Sequence, residues 1–384
     1  MRKKVLIIRT GYYGDIAGTL SSLSLLWNNL KDDTDFYWLV SPRFADIIQG
    51  HPFLQETILY RKQSPELIPT FESYCQSGEF DYILDYHEFK HSYNSIRYHC
   101  LPCLSALGAK MFNPSKHRFD LRFLKRLFWP SITTYQAMAE EFTRCFLQTI
   151  SRYENRTAQK VIHVNPRNHY YSIPAAGLGA KVLVSIGSSK RRKMLKQENW
   201  LRFLSALAEQ RPCCFMFTWD SPDEKSKAEI LQKQLPNAIL LPRLSVASLY
   251  SVLSQVDLVL SVDSLMMHLA ALMDTPSFTF FGPSCEKIRP DGVLHASIQG
   301  RCNYRLPLTE LDACPLYRLC PSFGCIKDLN IEEAIVRFRE WWVDIESYHQ
   351  KKQAWPIVVQ KKYQKTPFHP TAKVFMLTLR FLIR

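Results

Sequence analysis

No stretch of this 384-residue sequence approaches the roughly 18 uncharged apolar residues that a membrane-spanning helix needs. The opening MRKKVLIIRTG offers only four apolar residues, Val5 to Ile8, before Arg9 interrupts them, which argues against a secretory signal peptide. Low-complexity runs are also lacking, and 46% hydrophobic with 22% charged residues is a globular composition. Two nucleotide-binding signatures are missing. The Walker spacing G-x-x-x-x-G-K-[ST] does not occur, and Gly11, Gly14 and Gly18 do not form G-x-G-x-x-G, which weighs against a nicotinamide or flavin enzyme. Eleven cysteines scattered along the chain do not make a secreted disulfide framework, so free thiols in a reducing cytoplasm are the expectation.

What is present is positive charge. A net charge of +14 points to an anionic partner, whether nucleic acid, a nucleotide-linked substrate or an acidic membrane surface. The length exceeds one ordinary core and predicts two domains. The first half alternates strand-like and helix-like segments: Val5 to Ile8, a helix after Asp15, a strand from Asp35 to Val40, a helix around Arg43 to Ile48, and a strand ending near Asp85. A helical stretch from about Thr133 to Arg152 follows. The second half restarts the alternation at KVLVSIG and carries it through SFTFFG. This pattern predicts two Rossmann-like halves with parallel sheets, facing each other across a cleft, whose ligands gather at the carboxyl ends of the strands.

Three turns at such ends carry polar chemistry. Asp15 follows the first strand, where it reads either as a helix N-cap or as a functional carboxylate. In VSIGSSKRRK a strand runs into Gly187, Ser188 and Ser189 and then four cations, a turn suited to a pyrophosphate, although a solvated basic loop is the commoner use of Lys190, Arg191 and Arg192. In VDSLMMH, Asp263 ends a strand, Ser264 can cap the next helix, and His268 lies one turn on along the same face.

These motifs together resemble the heptosyltransferases of glycosyltransferase family 9. The resemblance rests on G-x-x-G-D opening the first helix, the GSS turn with Lys193 and Trp200 beyond it, and VDS-x-x-x-H followed by TPSFTFFGPS. A cysteine-containing segment ending CIKDLNIEEAI completes it. The similarity runs in order from about residue 4 to residue 340 and is weakest around 95 to 180. It implies a GT-B fold: an acceptor-side domain over 1–163, a linker over 164–180, a nucleotide-sugar domain over 181–345, and a basic tail over 346–384. Asp15 is then the general base that deprotonates an acceptor hydroxyl. Ser188, Ser189 and Lys193 hold the donor's phosphates, Asp263, Ser264 and His268 frame the donor, and Asp223 or Glu224 lies near the ribose. The implied reaction is inverting transfer of a heptose or related sugar, from an ADP-linked donor and with no further cofactor, to a lipid-anchored lipopolysaccharide core acceptor at the inner face of the inner membrane.

The sequence departs from the family at four positions. Leu265 replaces a glycine and Met267 a hydroxyl residue in the donor helix, while Leu195 and Lys196 stand in place of a Trp-Pro pair. These bear on which sugar the donor carries. Two other readings compete with the enzyme. A nucleic-acid-binding protein would want cations interleaved with aromatics on one surface or a reading helix, and neither is evident, so no nucleic-acid partner is expected. A non-catalytic nucleotide-sugar-binding member of the same fold would bind donor and turn nothing over.

Cys302, Cys314, Cys320 and Cys325 fall within one short segment without a C-x2-C pair, which suits a structural metal site, a disulfide or packed thiols, with no metal expected. Residues 121–129 and 373–384 mix cations with large apolar side chains; for the second of these, contact with a membrane surface is the expectation.

Overall fold

A computed structural model describes residues 2–59, 80–86 and 110–112 and short stretches between 139 and 174. It then describes 179–304 without 291, 314–353 without 315 and 318, and 377–378. The chain divides into two compact units between Asn165 and Pro166.

In the first unit, β1 (Lys3–Ile8) leads into α1 (Tyr13–Leu30), then β2 (Thr34–Val40), β3 (Glu56–Leu59), β4 (Tyr82–Asp85) and β5 (Lys110–Phe112). All pair in parallel, in the order β3-β2-β1-β4-β5. Covering a parallel sheet on both faces makes its strands near-continuous apolar runs, and Val5 to Ile8 and Phe36 to Val40 are buried throughout. Helix α1 turns Ile16, Leu20, Leu23, Leu26 and Leu30 onto the sheet at the spacing read from the sequence, and Trp27 stacks on Phe53 at 4.3 Å. The segment expected as a helix around Arg43 is a 3-10 helix, Pro42–Ile47. Pro42 at its start presets φ, and the six-residue piece ends before α-helical bonding is established.

A short β6 (Val161–Ile162) closes the first unit, and the second unit begins with β7 (Ala180–Ser185), α2 (Gln197–Gln210), β8 (Cys213–Thr218), α3 (Pro222–Gln234) and β9 (Ala238–Leu240). These are followed by α4 (Val246–Leu253), β10 (Leu258–Val262), α5 (Leu265–Leu272), β11 (Ser277–Phe281), β12 (His295–Gln299) and α6 (Ile331–Gln353). The β6 strand, on the first-unit side of the division, pairs antiparallel with β13 (Leu377–Thr378) from the C-terminal tail. The remaining six strands form a parallel sheet in the order β12-β11-β10-β7-β8-β9. Read from β9, this is the 3-2-1-4-5-6 order of a doubly wound sheet. Its core is aromatic: Phe203 meets Phe280 edge-on at 5.0 Å and Phe338 at 5.5 Å, while Trp200 meets Phe280 at 5.0 Å.

Both sheets have a switch point, where successive connections leave on opposite faces and a crevice opens at the strands' carboxyl ends. In the first unit it lies between β1 and β4, in the second between β7 and β10. Among the described residues no helix is long and apolar enough to cross a membrane. The segment 121–129 lies outside the described residues, as do 354–376 and 379–384 of the tail.

Candidate active site

At the switch point of the first unit, Asp15 occupies the third position of α1. The N-cap is Tyr12, which makes no side-chain capping bond, so the capping reading of Asp15 is set aside. Its carboxylate is about two-fifths exposed and pairs with Arg9 at 2.8 Å (Oδ2 to Nη2). Arg9 is almost fully buried, and its Nη1 donates to the Tyr86 carbonyl at 2.6 Å. Tyr86 follows β4 and Arg9 follows β1, so the guanidinium spans the switch point and fixes the carboxylate's direction. In the sequence Arg9 reads only as the end of an apolar run; the signal for its role is a cation directly following a buried parallel strand.

At the second switch point, three segments converge. Lys193 and Asp263, 70 residues apart, form an ion pair at 2.6 Å (Nζ to Oδ2). Asp263 is buried, whereas Lys193 keeps about a fifth of its side chain exposed. One of the ammonium's three donors serves Asp263, leaving two for a ligand. The Ser188 hydroxyl donates to the Asp263 carbonyl at 3.2 Å, which ties the turn after β7 to the end of β10. Ser188 thereby spends its proton inside the protein, while Ser189 beside it is exposed. Ser264 is the N-cap of α5, accepting from the Met266 N–H at 3.4 Å.

His268 sits one turn into α5. Burial pushes its pKa down to about 4; the Asp263 charge opposes that shift and the Lys193 charge adds to it. The imidazole is therefore neutral at pH 7. An unfolded histidine titrates near 6.5, so between about 6.5 and 4 the unfolded chain binds the extra proton and stability falls as pH falls. The urea midpoint is expected to drop from pH 7 to pH 5, with a shallower drop in His268→Gln. Equal slopes in the two proteins would contradict this assignment.

Asp223 and Glu224 lie in the first turn of α3, after β8, the neighbour of β7. Asp223 is exposed and paired with Lys227 at 2.8 Å, a hydrogen bond that lowers its pKa. Glu224 accepts from the Asp220 N–H at 2.9 Å while the Ser221 hydroxyl accepts from the Glu224 N–H, a reciprocal cap. The Glu224 carboxylate lies against Gly187, in the space a side chain at that position would take. Of the cations after the turn, Arg192 is committed elsewhere. Its guanidinium lies over the Tyr317 and Phe323 rings at 5.5 and 5.2 Å and donates to the Tyr317 carbonyl at 2.5 Å.

The four departures separate by burial. Met267 is fully buried and Leu195 belongs to the core, so both are packing changes. Lys196 is exposed and paired with Asp328 at 2.8 Å. Leu265 alone of the four stands half-buried in the first turn of α5, beside the N-cap Ser264.

Cys302, Cys314, Cys320 and Cys325 are free thiols. Burial and the three neighbouring cysteines push Cys325 up to about 12. Burial also raises Cys320, but the backbone N–H groups of Phe323 and Ser322, the Ser322 hydroxyl and the Lys327 charge together outweigh it and the net shift is downward. Among the described residues no three His, Cys, Asp or Glu side chains are grouped so as to hold a metal ion.

Comparisons with known proteins agree with this architecture. The lipopolysaccharide heptosyltransferase 1 of Pseudomonas aeruginosa is 25% identical over 292 residues, covering 73% of this chain and 79% of that protein. The enzyme of the same name from Escherichia coli K12 is 22% identical, covering 73% and 88%. Among solved structures, E. coli heptosyltransferase WaaC with ADP-2-deoxy-2-fluoro heptose aligns with a TM-score of 0.56 at 19% identity, over 77% of this chain and 93% of that one. A glycosyl transferase family 9 protein from Veillonella parvula aligns with a TM-score of 0.61 at 12% identity, over 89% and 97%. The model of glycosyltransferase family 9 (heptosyltransferase) matches residues 106–301, just over half of the chain. With two doubly wound α/β units and this match, the chain belongs to glycosyltransferase family 9 and is a glycosyltransferase of the GT-B fold.

Proposed function

We propose that the protein moves a heptose or a closely related sugar from an ADP-linked donor to a lipopolysaccharide core acceptor, with inversion at the anomeric carbon. The observation that carries this reading is the union of Lys193, Asp263 and the Ser188 turn at the switch point of the second sheet. The relatives named lipopolysaccharide heptosyltransferase 1 and the structure holding an ADP-fluoroheptose support it. In this reading the unit of residues 1–163 takes the acceptor and that of 181–345 the donor, joined by 164–180, and the basic tail meets the inner face of the membrane.

The chemistry follows from the groups available. The Asp15 carboxylate accepts the proton of the acceptor hydroxyl as that oxygen bonds to the anomeric carbon. The bond from that carbon to the diphosphate breaks on the opposite side, which inverts the centre. The growing negative charge on the departing ADP meets the free donors of the Lys193 ammonium, the N–H groups of the Gly187–Ser189 turn and the hydroxyl of Ser189. Asp263 holds the ammonium in place, and the neutral His268 does not compete with Lys193 for that carboxylate.

The test is a transfer assay with ADP-heptose beside UDP-, GDP- and ADP-hexoses, using truncated lipid A carrying Kdo as acceptor. Transfer from ADP-heptose, with the anomeric configuration of the product reversed, is the expected result. Turnover from another donor alone would replace the donor assignment, and tight donor binding without turnover on any acceptor would remove the proposed reaction.

A further inference from the structure

Four non-glycine residues among those described have positive φ: Tyr12, Asn237, Asp274 and Phe323. Asn and Asp adopt such angles most easily, and Phe323 lies in the ordinary left-handed well at φ 50, ψ 36. Tyr12 is different. At φ 50 and ψ 128 it lies outside that well, in a conformation that a glycine would hold with less strain. Packing does not explain the tyrosine, because its side chain is 66% exposed. Strain of this kind persists where the surrounding structure imposes it, and it clusters at functional sites.

The surroundings indicate which site. Tyr12 is three residues before Asp15, at the carboxyl end of β1. Its ring lies 6.1 Å from that of Phe44, and Tyr13 meets Phe44 edge-on at 4.9 Å. The exposed Arg43 guanidinium lies over Phe44 at 5.4 Å, and the Tyr13 hydroxyl donates to the Arg43 carbonyl at 2.9 Å, fixing the 3-10 turn against α1. The result is an exposed Tyr12 ring beside Phe44, an exposed guanidinium over that same Phe44, and a half-exposed carboxylate three residues along the chain.

We propose that Tyr12, Phe44 and Arg43 form the acceptor subsite, which takes an anionic pyranose. The Tyr12 ring stacks on the apolar C–H face of the sugar, and Arg43 receives its carboxylate or phosphate. An aromatic face supplies contact area at little entropic cost, and a guanidinium pairs with either anion through two parallel hydrogen bonds. The strained backbone holds the ring clear of the protein so that the sugar rests above it with a hydroxyl toward Asp15. This rests on Asp15 being the general base, and it deepens that reading by naming what positions the acceptor.

The test compares wild type with Tyr12→Gly, Tyr12→Phe and Arg43→Gln. It measures acceptor Kd by calorimetry, using the truncated lipid A and Kdo glycan, together with acceptor KM, kcat, donor Kd and Tm. Tyr12→Gly is expected to weaken acceptor binding about tenfold, with donor Kd unchanged, and to raise Tm because strain is released. A purely structural tyrosine would lower Tm instead. Tyr12→Phe keeps the platform and binds as wild type. Arg43→Gln loses affinity for the glycan but not for the same glycan with its carboxylates amidated; a loss that persists after amidation but not after phosphate removal assigns Arg43 to the phosphate. Unchanged acceptor Kd in Tyr12→Gly, or no acceptor binding by wild type, overturns the proposal. Tyr12-dependent acceptor binding without transfer would leave the subsite standing and overturn the base assignment.

Discussion

Asp15→Asn is expected to slow transfer by about 10²- to 10⁴-fold, the usual contribution of a positioned general base, and to leave donor affinity unchanged. The substitution preserves shape and one acceptor oxygen, so the contact with Arg9 at 2.8 Å is weakened rather than abolished, and Arg9 keeps its bond to the Tyr86 carbonyl at 2.6 Å. What is lost is the ability to take a proton. A single-turnover rate measured with saturating donor and acceptor isolates that loss from binding. Asp15→Glu retains a carboxylate but moves it by one methylene away from the direction that Arg9 imposes, and it is expected to fall between wild type and Asn. If Asp15→Asn turned over at the wild-type rate, another group would be the base. If donor and acceptor Kd rose as much as the rate fell, Asp15 would be a binding residue.

The second large effect is at Lys193. Lys193→Met keeps most of the stem's volume and removes the ammonium, which costs the charge-assisted bonds to the donor's phosphates. At about 1.5 to 3 kcal/mol for hydrogen bonds to charged groups, donor Kd is expected to rise roughly 10- to 150-fold. It also leaves the Asp263 carboxylate, 7% exposed, without its partner at 2.6 Å. Breaking a buried pair costs about 3 to 5 kcal/mol, and the partial exposure of Lys193 places this one toward the lower end. The two consequences separate in a double variant. Lys193→Met with Asp263→Asn is expected to regain much of the stability, since no orphaned charge remains, while donor affinity stays weak. Donor Kd unchanged in Lys193→Met would place the phosphates elsewhere, and equal stability of the single and double variants would mean that Asp263 does not depend on the pair.

The sequence displayed what is local. Apolar runs and helical periodicity placed β1, α1, β2 and β4 of the first unit and the elements from β7 to β11 of the second to within a few residues, because each depends on neighbours two to four positions apart; β3, β5, β12 and the helix Ile331–Gln353 were not read from the sequence. The same locality gave Asp15, the GSS turn and Asp263 their positions after strands, and from them the family. The 3-10 helix at Pro42–Ile47 was less legible, since its apolar spacing resembles a short helix and only the proline marks the difference.

Pairing across distance was decided by the tertiary structure. Placing β7 beside β10 brings Lys193 to Asp263 and Ser188 to the Asp263 carbonyl, and placing β1 beside β4 holds Arg9 against Tyr86 behind Asp15. It also separated the cations after the GSS turn, pressing Arg192 between Tyr317 and Phe323. Met267 proved to be core and Leu265 half-buried at the start of α5, although sequence gave both the same standing. Nor does any residue pattern announce that Tyr12 bears an unfavourable backbone angle. The physical reason is the range of the interactions. Secondary structure is selected by hydrogen bonds and burial within a few residues, whereas strand order and ion pairing are selected by the free energy of packing whole elements together.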